Sequence, residues 1–226
     1  MPSHLKPTSQ TPEKHVDHAN EGGNAKEGEG SHPSKDSSQQ PPSSAAENQE
    51  SPHSIASEIL SHLSDSKSTL AIAESLTGGA LSSLFTTIPG SGSVFRGGIV
   101  AYDAPLKTKL LGISAEPLEK NGVVSAETAA GMARGVREAA TCEGQEMTTW
   151  GLGTTGVAGP GETEGKEMGT VYIGVSKAGG ESKGFGPFWF PGSREGVMDG
   201  TMREALKVLR GEILGVWKPG GEGKVL

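Results

Sequence analysis

The sequence predicts an α/β fold, a three-layer α/β/α sandwich around a mixed, mostly parallel sheet. Three observations predict it. Short runs of β-branched and apolar residues alternate with segments of helical period along residues 53–220. Glycines cluster where the strand candidates end, as in LTGG and GTTGVAGPG. The clearest helical segment, SAETAAGMARGVREAA, opens on a candidate N-cap and has a body dominated by alanine.

The elements follow in order. Ile55, Ile59, Leu60 and Leu63 recur at helical spacing and predict a first helix. TLAIAES from Thr69 reads as a short buried strand, and Ala80–Thr87 as a helix beginning where two glycines end. Pro89 and Gly90 stop that helix. Val94–Tyr102 is the next strand, with Gly97 and Gly98 marking a bulge or a close backbone approach. Pro105 opens a short helix that Gly112 closes, and Ser125 is placed to N-cap the alanine-rich helix to Ala140. TTWGLGTTG, GTVYIGVSKAG and FGPFWFPG give three further strands, and Ser193 to about Trp217 a final helix.

Residues 1–52 differ in kind. Leu5 and Val16 are their only branched aliphatics, among abundant Ser, Pro, Gly, Gln and Glu. Such a segment buries too little apolar surface to offset the entropy of ordering its backbone, and is expected to be a disordered tail. It also accounts for the low hydrophobic content of 33%, which leaves residues 53–220 with the composition of one ordinary domain.

Composition narrows the function. The net charge is -7 and no basic stripe occurs, which argues against nucleic acid as a partner. No apolar run is long enough for a membrane span. Cys142 is the single cysteine, so an internal disulfide or thiolate zinc site is impossible, in keeping with a reducing compartment. The first residues carry neither an apolar core nor an arginine-rich amphipathic pattern, and a cytoplasmic location is expected. The six histidines, His4, His15, His18, His32, His53 and His62, show no ligand spacing, so no metal and no cofactor is expected.

Three segments hold residues suited to chemistry. In AESLTGG, Glu74, Ser75, Thr77, Gly78 and Gly79 lie beyond the carboxyl end of a strand, where open α/β sheets bind ligands. The simpler reading is a tight strand-to-helix turn with Ser75 or Thr77 as N-cap. In PGSGSVFRGGIVAYDAPLK, Ser91, Ser93, Tyr102 and Lys107 share one strand–turn–helix unit. A desolvated lysine there can take a proton from a serine, although a solvated loop beside a helix has the same composition. The third segment, TTGVAGPGETEGKEMGT, is glycine-rich without being a Walker loop or a dinucleotide fingerprint.

Taken in order, AES-x-TGG, PG-x(3)-VF-x-GG-x-V-x-Y-x(4)-K-x-x-LLG, GVVS and TG-V-AGP-G…GTVYIGV resemble the CinA C-terminal domain family over residues 54–217. The resemblance implies amide hydrolysis: nicotinamide mononucleotide and water give nicotinate mononucleotide and ammonia by a metal-free serine–lysine mechanism. It implies Lys107 as the base, Tyr102 as an active-site tyrosine, and a homo-oligomer. Glu74, Thr77, Gly78, Gly79, Thr155, Gly156 and Arg194 fall at its substrate-binding positions, with the forked donors of Arg194 suited to a phosphate. Met198 replaces a second arginine of the family, which implies weaker phosphate binding. The family's Pro-Gly-small-Ser-small segment implies a nucleophile in the second motif, where this chain has Gly92 between Ser91 and Ser93. The nucleophile is therefore left among Ser91, Ser93 and Ser75, and a catalytically silent nucleotide-binding protein stands as the alternative.

Overall fold

The computed structural model describes residues 50–217. The expected disordered tail lies, up to residue 49, outside the described residues, as do residues 218–220 of the expected domain. The first helix starts slightly before the expected boundary: α1 is Pro52–Asp65, with Ser51 as N-cap accepting a hydrogen bond from the Ser54 amide. There follow β1 (Leu70–Glu74), α2 (Ala80–Thr86), β2 (Phe95–Val100), α3 (Ala104–Leu111), α4 (Ala115–Asn121) and α5 (Ala126–Ala139). The chain closes with β3 (Trp150–Gly156), β4 (Thr170–Lys177), β5 (Ser182–Trp189) and α6 (Arg194–Leu214).

The sheet order is β2-β1-β3-β4-β5. β1 pairs in parallel with both β2 and β3, while β4 is antiparallel to β3 and to β5. Four strands therefore point one way, and only β4 runs against them. The carboxyl ends of β1, β2 and β3 converge on one edge, where the candidate site is built.

Strand period divides the core in two. On β1, Leu70 and Ile72 face a cluster with Ile55, Ile59, Phe85 and Leu206, from α1, α2 and α6. Ala71 and Ala73 face the other layer, with Leu111 of α3 and Met132 and Val136 of α5. β1 is buried on both faces, as a central strand must be.

The α5 layer sits unusually low on the sheet. A Cβ added at Gly153 or Gly174 would run into the Ala129 carbonyl, and one at Gly151 into that of Ala133. Glycines in two strands and alanines in α5 are thus one feature, which lets helix backbone rest on sheet backbone. Ser125 caps α5 as its position predicts, accepting from the Thr128 amide. α4 has no counterpart among the expected elements; its seven residues lack an apolar stripe and none is buried. Ser91–Ser93 form a 3-10 turn rather than extended chain.

Candidate active site

The residue after β1 is Ser75. Its amide donates to the Thr154 carbonyl at 3.1 Å, which prolongs the β1–β3 pairing and fixes the serine at the head of a sharp strand-to-helix turn. Glu74, fully buried, turns back beneath that turn. One carboxylate oxygen accepts the amides of Gly79 (3.0 Å) and Leu81 (3.2 Å); the other accepts the amide (2.8 Å) and hydroxyl (2.6 Å) of Ser82. α2 is therefore capped by the carboxylate of Glu74, not by Ser75 or Thr77. Its N-cap residue, Gly79, and the preceding Gly78 have φ of 101° and 61°, in the left-handed region that glycine adopts without strain. The Gly78 amide donates to the Ser75 carbonyl at 3.1 Å, so both glycine amides are taken within the turn. Thr77 shares a 3.0 Å hydrogen bond with the hydroxyl of Thr154. Glu74, Thr77, Gly78 and Gly79 shape the turn, and none of them lines the neighbouring cavity.

Lys107, on α3, is only 1% exposed. Its Nζ lies 3.1 Å from Ser75 Oγ, 2.7 Å from the Ala101 carbonyl and 3.4 Å from the Tyr102 carbonyl. Burial holds its pKa below the ordinary lysine value, and the carboxylates of Asp103 and Glu164 oppose that shift without reversing it. A neutral amine has two N–H donors and one lone pair. Protonated, Lys107 donates to Ser75 Oγ; deprotonated, it can give its two N–H groups to the carbonyls and its lone pair to the serine hydroxyl.

Ser75 and Lys107 open into a cavity of about 220 Å³ at the carboxyl edge of the sheet, walled also by Val123, Thr155 and Gly159. Thr155 Oγ1 donates to the Val123 carbonyl at 2.7 Å, and Gly156 continues the wall. At the rim, Arg194 donates to the Gly159 carbonyl and to the Tyr102 hydroxyl, each at 2.7 Å. Among the described residues no carboxylate lies within 4.0 Å of this guanidinium, so its charge faces the opening unpaired.

The structure does not bring Ser91 or Ser93 to Lys107. They precede β2 and Lys107 follows it, so six residues of strand, about 20 Å, separate them. The hydroxyl of Ser93 donates to the Gly90 carbonyl, and Ser93 borders a different cavity with Lys67 and Arg96. Gly92 has open space around it and is equally remote from the lysine. Of the three candidate serines, Ser75 alone meets the lysine.

Leu76, Val123, Val124 and Thr163, none of them of a type that announces chemistry in the sequence, supply further walls. Val123 and Val124 lay within GVVS, which marked the segment without assigning it a role. Among the described residues, no group of three or more His, Cys, Asp or Glu side chains is placed to hold a metal ion. No helix among them is long and apolar enough to cross a membrane.

This architecture, an α/β sandwich with a buried serine–lysine pair at its carboxyl edge, has clear relatives. The family model for the CinA C-terminal domain matches residues 52–213. A CinA-like protein of Synechococcus sp. is 49% identical over 124 residues, 54% of this chain and 28% of that protein. One of Frankia casuarinae is 39% identical over 158 residues, 70% of this chain and 35% of that protein. Among solved structures, a competence or damage-inducible protein of Enterobacter asburiae superposes with a TM-score of 0.66 at 25% identity, over 73% of this chain and 99% of its own. A CinA-superfamily protein of Escherichia coli gives 0.64 at 28% identity, over 73% and 90%. The chain belongs to the CinA C-terminal domain family. It spans about a third of the length of the curated relatives it matches.

Proposed function

We propose that this chain is an amidohydrolase that converts nicotinamide mononucleotide and water to nicotinate mononucleotide and ammonia, with Ser75 as nucleophile and Lys107 as base. The observation that carries the reading is the 3.1 Å approach of Lys107 Nζ to Ser75 Oγ, both side chains buried. The choice of nucleotide comes from the family resemblance; the unpaired Arg194 at the rim supports an anionic group on the ligand.

The chemistry follows from the geometry. Lys107 accepts the Ser75 proton as Oγ attacks the carboxamide carbon. The resulting oxyanion needs donors in a dry site, and the amide of Leu76, next after the nucleophile, is the nearest candidate along the chain. The Gly78 and Gly79 amides are already engaged and do not serve. As the intermediate collapses, the C–N bond breaks and Lys107 returns its proton to the leaving nitrogen, releasing ammonia. Water, deprotonated by the same amine, then attacks the Ser75 ester. The C–Oγ bond breaks, the serine regains its proton and the nucleotide carboxylate departs.

The test is ammonia release from nicotinamide mononucleotide by the purified protein beside Lys107→Ala. Turnover that the variant loses supports the reading; no release above the variant at micromolar enzyme over hours overturns it. The alternative, a catalytically silent nucleotide-binding protein, rests on Gly92, which lies at the far end of β2 from Lys107.

A further inference from the structure

The glycine-rich segment between β3 and β4 contains one residue whose conformation runs against its type. Thr163 and Lys166 exchange two backbone hydrogen bonds of 3.0 Å each, which makes residues 163–166 a two-residue hairpin. Its central residues, Glu164 and Gly165, both have positive φ, 54° and 71°. That is the pattern of a type I′ turn, whose first central position favours Asn, Asp or Gly. Glutamate is a poor choice there on local grounds.

Its side chain explains the choice. The two carboxylate oxygens accept the successive backbone amides of Val123 (2.9 Å) and Val124 (3.2 Å), in the turn between α4 and α5. Gly122, beside them, leaves room for the carboxylate: a Cβ there would collide with Glu164 Oε2. The Val123 carbonyl is held from the other side by Thr155 Oγ1. Val123, Val124, Thr163 and Gly159 all line the cavity. One exposed side chain thus ties the glycine-rich loop to the wall that faces Ser75 and Lys107.

We infer that Glu164 is a positioning residue, a staple that locks the glycine-rich loop against the Val123–Val124 turn and so sets the width of the substrate cavity. The substrate arm of this inference rests on the amidase reading above; the staple itself does not. A shorter Asn cannot reach both amides but suits the turn better, so Glu164→Asn separates the two roles. Glu164→Gln keeps the length and removes the charge, leaving an NH₂ against one of the amides.

The experiment measures deuterium exchange of the Val123–Val124 segment in the full chain, with melting temperature and steady-state kinetics beside it. Both variants are expected to exchange these amides roughly tenfold faster, with Glu164→Asn melting no lower than the unaltered chain. The KM for nicotinamide mononucleotide should rise roughly tenfold at nearly constant kcat, as loss of uniform binding requires. Lys107 feels the carboxylates of Asp103 and Glu164, so Glu164→Gln should also move the acid limb of the pH–rate profile to lower pH. If Glu164→Asn leaves exchange unchanged, Glu164 is only a turn residue and the inference falls. If exchange rises and KM does not, the staple exists but does not set the cavity, and the inference falls as stated. If the unaltered chain releases no ammonia, the amidase reading fails, and the exchange measurement alone decides the staple.

Discussion

Replacing Glu74 with glutamine should unfold the start of α2 without touching any ligand. In the native turn four donors converge on one buried carboxylate, two on each oxygen. Glutamine has one acceptor oxygen and one NH₂; its better orientation turns the NH₂ toward Ser82, whose hydroxyl can rotate to accept, and still leaves the Ser82 amide facing a donor. Leaving a buried donor unsatisfied costs about 1–3 kcal/mol, and that is the expected cost of the substitution. Total stability for a domain is only about 5–15 kcal/mol. Taking about 2 kcal/mol as the working figure, the melting temperature should drop by roughly 6 °C for a domain of this size. Urea unfolding followed by tryptophan fluorescence measures it, and activity should fall in the same variant because Ser75 is the next residue. A variant within about 0.5 kcal/mol of the parent refutes the capping account. Unchanged stability with lost nucleotide binding would return Glu74 to the substrate.

Gly92→Ser restores the serine that the family pattern places in the second motif; since a side chain there meets open space, turnover should stay within twofold or so. The reaction needs Lys107 neutral, and burial holds its pKa below the ordinary value of 10.5, so the rate should climb with pH along a limb lying below that value. Asp103→Asn removes a carboxylate that favours the charged amine, and a pH–rate profile should show that limb moved to lower pH. Gly174→Ala forces a methyl against the Ala129 carbonyl, and denaturant titration should show a loss of about 3 kcal/mol as α5 is lifted from the sheet.

Much of the layer structure was legible because its signals are local. The apolar TLAIAE run, the Ser125 cap and the branched GTVYIGV strand each carry their own evidence within a few residues. The site was legible only in part. Ser75 and Lys107 are 32 residues apart, and parallel pairing of β1 with β2, Glu74 beside Val100, closes that gap. The same pairing separates what the sequence places close together. Ser91, Ser93 and Lys107 fall in one motif, but the motif runs the whole length of β2, so its serines and its lysine belong to opposite edges of the sheet. The carboxylate of Glu74 accepts four donors of the α2 turn, a role no local pattern announces. A carboxylate at a strand end reads as a ligand contact, and only the path of the chain through Gly78 and Gly79 folds α2 back onto it. α4 gave no signal, since its short exposed turns bury nothing that would impose a period.

The account stands on Ser75 as the attacking group. Its most direct test compares the rate of ammonia release from nicotinamide mononucleotide for Ser75→Ala with that for the double variant Ser91→Ala, Ser93→Ala. The structure leads us to expect a loss of roughly 10³-fold or more for Ser75→Ala, the scale of removing a catalytic nucleophile, and a near-parental rate for the double variant. Near-parental turnover by Ser75→Ala, or collapse of the double variant with its fold intact, would contradict it.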